Sequence, residues 1–332
     1  MKNLILITLA AFFVGNSWGQ DLTENLKGFG YGGKKLKNAP KEIYIHQFLV
    51  NYQMTSSGSE TSTGGKTKAE MAVGLTGIDA NDVQEITDQA YSYLEKRLTD
   101  NGYKILLAED VKSAEMFEDW ELFKGGQPNK SQLMGYLTTA PTDGEFLIKG
   151  ETKKGKIKTG ILDINPKISK AIGNILIWNS EINFQYCRIE GNSFINDASK
   201  LKGTVKFIVP ASAIAQSSEG FLGNGSIQTK QTSAKVVWKG KGKGAAAEAY
   251  INVIPKKDYE IEGVVEKKKF KEYVSPSPSV YTNAYFGILY SNNKEVQVSH
   301  QVQADNAAYK EKALENLKKY IDTVLAAMLE GQ

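Results

Sequence analysis

The chain predicts an α+β fold: a mixed sheet with a strand–helix–strand unit near the N-terminus, a β-rich middle and a long C-terminal helix packed on the sheet. Three observations predict it. Residues 42–110 change from strand-like to helical periodicity and back to a strand. Residues 145–303 are dominated by short β-branched and aromatic runs separated by polar turns. Residues 306–329 carry an apolar stripe at helical spacing.

At the N-terminus Lys2 precedes the apolar run Leu4–Val14, and Ser17-Trp18-Gly19 supplies small residues at a cleavage site. That run is too short for the ~20 residues a membrane-spanning helix needs. Residues 1–19 are therefore expected to be a signal peptide, with Gln20 as the new N-terminus. Removing Lys2 from the 41 basic residues leaves them three ahead of the 37 acidic ones. So small an excess argues against nucleic acid as a partner. Cys187 is the only cysteine, which leaves no intramolecular disulfide and no CxxC motif.

Residues 20–40 read as a flexible lead-in. Within them Gly28–Gly33 resembles a phosphate loop in letters only, with no strand before it or helix after it. Glu42–Tyr52 reads as a central strand, apolar on both faces, with His46 as a packed structural histidine. Residues 54–68 are Ser/Thr/Gly-rich and expected to form an exposed loop or an extended hairpin. Asp82–Asn101 is the best-signalled helix, capped by Asn81 with Gln84 as a partial capping box. Its stripe is Val83, Ile86, Ala90, Tyr93, Leu94 and Leu98, and Gly102 ends it. Tyr103–Ala108 returns as a strand.

Glu115, Glu118, Asp119 and Glu121 alternate with Met116, Phe117, Trp120, Leu122 and Phe123, which suits an amphipathic acidic helix over 110–123. Further strands are expected at Glu145–Lys149, Lys156–Leu162, Glu181–Ile189, Gly203–Val209, Ser233–Lys239, Ala249–Ile254, Val280–Tyr290 and Glu295–Gln303. Ser291–Lys294 joins the last two as a hairpin, and His300 falls on the packed face of the final strand. Residues 211–232 form a second polar loop. Lys239-Gly-Lys-Gly-Lys-Gly244 and Lys267–Lys271 are basic clusters that read as solvated loops or Lys-guarded edges. The closing helix is capped by Asp305 and buries Ala313, Leu317, Tyr320, Ile321, Val324, Leu325 and Met328. The implied organisation is 1–19, 20–40, 41–144 and 145–332, the last two forming one body.

Two histidines supply no His-rich metal site; no HExxH or GxSxG occurs, and Cys187 has no supporting base. No cofactor, metal or catalytic residue is assigned, and the expectation is a protein that is not an enzyme. The residues expected to touch a partner are Ser56, Ser57, Thr61 and Ser62 in the first loop and Lys239, Lys241 and Lys243 in the basic cluster.

The strand–helix–strand order, and the phrase Asn101-Gly102-Tyr103-Lys104-Ile105-Leu106, resembles the periplasmic domain of curli-secretion-channel proteins and of the Tol translocation protein. The resemblance covers about a third of the chain, and the lipidated cysteine of the curli-type channel has no counterpart. It implies an envelope protein that assembles or binds. The expectation is thus an exported, non-enzymatic component of a Gram-negative envelope, periplasmic, outer-membrane-associated or secreted, with a protein or polysaccharide partner. Membrane association and homo-oligomerisation stay open. One alternative is a pore-forming protein that inserts loops 54–68 and 211–232. Another is a carbohydrate-active enzyme using carboxylates such as Glu118 and Glu121.

Overall fold

The computed structural model describes residues 21–61, 68–126, 135–149, 163–193, 199–217, 227–242, 244, 247–274, 288–291 and 294–330. Its first elements are α1 (Leu22–Asn25), β1 (Leu26–Tyr31), a 3₁₀ turn (Gly33–Asn38) and β2 (Glu42–Gln53). The hairpin β3 (Thr55–Thr61) and β4 (Lys68–Thr76) leads to α2 (Ala80–Asp100) and β5 (Lys104–Leu106). Then come α3 (Ala108–Val111), a 3₁₀ turn (Glu115–Phe117), β6 (Trp120–Lys124), β7 (Tyr136–Thr139), β8 (Glu145–Lys149) and α4 (Asn165–Ala171). The β-rich part holds β9 (Leu176–Ser193), β10 (Ser199–Val209), β11 (Ile214–Ser217), β12 (Ile227–Lys230), β13 (Ser233–Lys239) and β14 (Glu248–Pro255). It continues through β15 (Tyr259–Glu260), β16 (Lys269–Val274), β17 (Ile288–Ser291), β18 (Lys294–Gln297) and β19 (His300–Gln303) to α5 (Asn306–Glu330).

The α+β class is thereby realised, with α5 packed on the sheet. Ten described strands form one sheet whose spine runs β1-β14-β13-β9-β10-β15. Strand β2 lies parallel to β9 and to β5 and antiparallel to β7, so it is central, as its two apolar faces require. The chain leaves β2 and returns as parallel β5 by way of α2, the crossover expected of that spacing. Helices α2 and α5 cover one face of the sheet; α3, α4 and the β6/β8 pair cover part of the other.

Helix α2 starts earlier than its sequence signals. Asp79 is the cap, accepting from the backbone of Asn81 and Asp82 at 2.8 and 3.0 Å, and Asp82 answers to the Asp79 amide at 3.0 Å. A carboxylate taking two of the helix's first amides outcompetes the amide side chain of Asn81. At the other end Gly102 adopts φ 79°, and Tyr103 N–H reaches the Leu98 carbonyl at 3.0 Å. The stripe buries Tyr91 and Thr87 in addition to Val83, Ile86, Ala90, Leu94 and Leu98. Tyr93 is only half-buried, and its hydroxyl donates to Asp322 of α5 at 2.7 Å. Asp305 caps α5 through the Ala308 amide at 3.0 Å. Between helices and sheet, Tyr52 stacks on Phe184 at 5.6 Å, Phe184 on Phe207 at 5.4 Å, and Tyr309 of α5 tilts onto Phe207 at 4.6 Å. Such pairs add about 0.5–1.5 kcal/mol each beyond burial.

Four expectations are corrected. The supposed lead-in at 20–40 is folded: Leu22, Leu26 and Leu36 are buried, and Leu26–Tyr31 pairs with β14. Of the two readings of the polar stretch from 54, the exposed loop is corrected and the hairpin holds, because Thr55–Thr61 finds a partner in Lys68–Thr76. That partner buries Ala69, Met71, Val73 and Leu75 and so supplies the apolar face that the Ser/Thr strand lacks. The acidic helix over 110–123 is instead a short helix, a turn and strand β6 paired with β8. Alternating acid and apolar residues satisfy both periods, and the Trp120↔Lys149 to Lys124↔Glu145 ladder decides for the strand. The strand expected over 295–303 divides into β18 and β19; β19 runs parallel to β4. In the second polar stretch β11 pairs with β12, leaving 218–226 outside the described residues. The strand expected at Lys156–Leu162, the first part of that at Val280–Tyr290, and residues 1–19 also lie outside them.

Candidate functional site

The open part of the sheet lies on the face opposite α2 and α5. Strand β14 alternates strictly there: Ala249, Ile251 and Val253 are buried, while Tyr250, Asn252 and Ile254 meet solvent in part. Cross-strand register then assembles one transverse row. Phe29 of β1 stands opposite Asn252 of β14, Asn252 opposite Lys235 of β13, Lys235 opposite Asn179 of β9, and Asn179 opposite Gln47 of β2. Directly opposed residues share a face, so these five side chains line up across five strands. Phe29 is 42 % exposed and its neighbour Tyr31 48 %. Asn252, Lys235, Asn179 and Gln47 are all half-buried.

Each end of the row is aromatic. At the β1 end Tyr31 stands opposite Tyr250, with Lys35 Nζ 5.2 Å from the Tyr31 ring. At the β2 end the register slips between Ile45 and Gln47, a bulge that leaves His46 unopposed. His46 packs between Tyr44, at 5.9 Å, and Trp120, at 5.8 Å. Burial pushes its imidazole down to about 4, and Asp163 nearby opposes part of that shift. Asp163 also pairs with Lys235, whose ammonium lies 4.5 Å from the centre of the Tyr250 ring.

Two polar groups of the row have hydrogen-bonding capacity to spare. Asn179 Nδ2 reaches Gln47 Oε1 only at 3.5 Å. Asn252 Oδ1 is shielded from solvent and accepts no hydrogen bond from the described residues. An orphaned buried acceptor costs about 1–3 kcal/mol.

Beyond Gln47 the same face becomes a closed polar core. Asn51 donates to Glu181 Oε1 at 2.8 Å and to Asn183 Oδ1 at 2.7 Å, and accepts from Thr138 at 2.5 Å. Lys230 adds an ion pair to Glu181 at 2.6 Å. Every hydrogen-bonding position of the Asn51 amide but one lone pair is occupied, so this cluster ties β2, β7 and β9 together and offers a ligand little. The adjacent amide row, less satisfied and more open, is the better site.

The residues expected to contact a partner are not gathered at the row. Ser56 is buried and hydrogen-bonds the Cys187 thiol, and burial pushes that thiol up to about 12. Lys239 is also buried, pairing with Glu248 at 3.0 Å and with the Gly244 carbonyl. Strands β3 and β13 turn both of these side chains inward. Ser57 and Lys241 are exposed, Thr61 closes β3 opposite Lys68, and Ser62 and Lys243 lie outside the described residues. The row was missed because its members are spread from Phe29 to Asn252. Their signal was modest: in Ser233–Lys239 and Ala249–Ile254, single polar residues sit at one parity of otherwise apolar strands.

Among the described residues no three His, Cys, Asp or Glu side chains group closely enough to hold a metal ion. Lys104, Leu106, Asp110, Ser113, Ile172 and Ile175 border an open cleft of about 470 Å³ beside α3. The chain matches no family model, no curated protein and no solved structure.

Proposed function

We propose that this chain is an exported, non-enzymatic binding or assembly component of a bacterial cell envelope, periplasmic or associated with the outer membrane. Its contact surface is the row Phe29–Asn252–Lys235–Asn179–Gln47. The observation that carries this reading is the register itself, which sets two exposed aromatics and three amides on one half-open sheet face. Amides and aromatic rings bind; none of them is a nucleophile or a proton-transfer group at neutral pH. The role agrees with what the resemblance to curli-channel and Tol-type periplasmic domains implies. Membrane insertion through residues 54–68 gains less support, because the apolar side chains of β4 are committed to the core.

Capture from envelope fractions tests the proposal. Purified chain should co-sediment with the envelope, and Phe29→Ala/Tyr31→Ala should abolish this while leaving the circular dichroism spectrum unchanged. Unaltered capture by the double variant would remove the row from the contact surface.

A further inference from the structure

We infer that the row binds a neutral glycan laid across the strands, with sugar rings resting on Phe29 and Tyr31. This rests on the reading of the chain as an envelope-binding component and names what it binds. Three features of the face select that partner.

The first is the alternation of donor and acceptor. Sugar hydroxyls both give and receive hydrogen bonds, and so do Asn and Gln amides. Gln47, Asn179 and Asn252 therefore offer a matching pattern, their amides set in one row by the strand register. The second is shape. Five strands at about 4.8 Å spacing make a row about 19 Å long, an extended track suited to a short run of sugars. Phe29 presents an open ring at one end, where the apolar C–H face of a sugar can lie. At the other end Trp120 stands against His46, next to Gln47.

The third feature is charge, which along the inner strands favours a neutral ligand over an acidic one, while Lys27 and Lys35 stand at the β1 end. The lysines around the row on the inner strands are each matched by a carboxylate: Lys235 by Asp163, Lys239 by Glu248 and Lys230 by Glu181. An acidic sugar would have to take Lys235 away from Asp163, whereas a neutral one leaves the pair intact. Lys235 is further held over the Tyr250 ring. An apolar peptide, in turn, would cover the amides without satisfying them.

The test is calorimetric titration of the purified chain with cellohexaose, laminarihexaose, mannohexaose and chitohexaose, with hexagalacturonate as the acidic probe. At least one neutral hexasaccharide should bind, and Phe29→Ala and Asn252→Ala should each weaken it about tenfold or more. Raising the ionic strength from about 0.05 to about 0.5 M should change that affinity less than twofold. The inference falls if all four neutral probes fail, if hexagalacturonate binds more tightly, or if both variants bind as the parent does. A parallel arm uses envelope oxidised with periodate, which destroys sugar diols. Capture that survives oxidation yet still needs Phe29 and Tyr31 overturns the glycan and leaves the binding role standing. Capture that fails even with untreated envelope overturns the binding role itself.

Discussion

Asn51 donates a 2.7 Å hydrogen bond to Asn183 across two parallel strands, and neither side chain has measurable contact with solvent. Replacing one partner strands the other in a place water cannot reach. Asn51→Ala should therefore cost about 2–3 kcal/mol in urea unfolding, since Asn183, Glu181 and Thr138 all lose a partner. The double variant Asn51→Ala/Asn183→Ala should cost less than the two singles added together, because the second change removes groups already orphaned. Strict additivity would show that the pair does not act as a unit.

Strand β1 depends on a residue without a side chain. A Cβ built on Gly30 would stand 2.1 Å from the Tyr250 carbonyl oxygen, which is backbone and cannot step aside. Gly30→Ala should push β1 off β14 and cost about 1–3 kcal/mol. Amide hydrogen exchange should accelerate across Leu26–Tyr31 far more than in α2. Because Phe29 and Tyr31 ride on this strand, envelope capture should weaken in the same variant.

His46 makes stability depend on pH. Burial holds its folded pKa near 4, below the 6.5 of a free imidazole. Between those values the unfolded chain binds the proton more readily, so stability is fully present above about pH 6.5 and is lost as pH falls towards 4. His46→Phe preserves a ring between Tyr44 and Trp120 while removing the titration. Its melting temperature should fall less than that of the parent between pH 7 and pH 4. Parallel curves for the two proteins would remove His46 as the cause.

Cys187 should be inert. Its thiol is buried, raised to about 12, and hydrogen-bonded by Ser56. Iodoacetamide at pH 8 should label it only after denaturant unfolds the chain. Rapid labelling of the native protein would place β3 in frequent exchange with an open state.

What the sequence disclosed, and what it hid, follows from where the stabilising partner lies. Helices α2 and α5 were legible because their apolar stripes recur within the element itself. Strands Ser233–Lys239 and Glu145–Lys149 were legible to the residue, since alternation or β-branched density marks them locally. Leu26–Tyr31 was not, because two glycines weaken any strand and only pairing with β14, over two hundred positions away, makes it one. Thr55–Thr61 was hidden for the same reason: its apolar support comes from β4. The row is the extreme case. Gln47, Asn179, Lys235 and Asn252 are ordinary polar residues singly, and register alone turns them into a surface.

The most direct measurement is a titration of the ¹⁵N-labelled chain with solubilised neutral envelope polysaccharide, following side-chain amide resonances. The side-chain signals of Gln47, Asn179 and Asn252 should move together with the backbone signals of Phe29 and Tyr31, while those of α2 and the Asn51 side chain stay in place. Shifts confined to other surfaces, such as Ser57 or Lys241, or no shifts at all, would contradict the account.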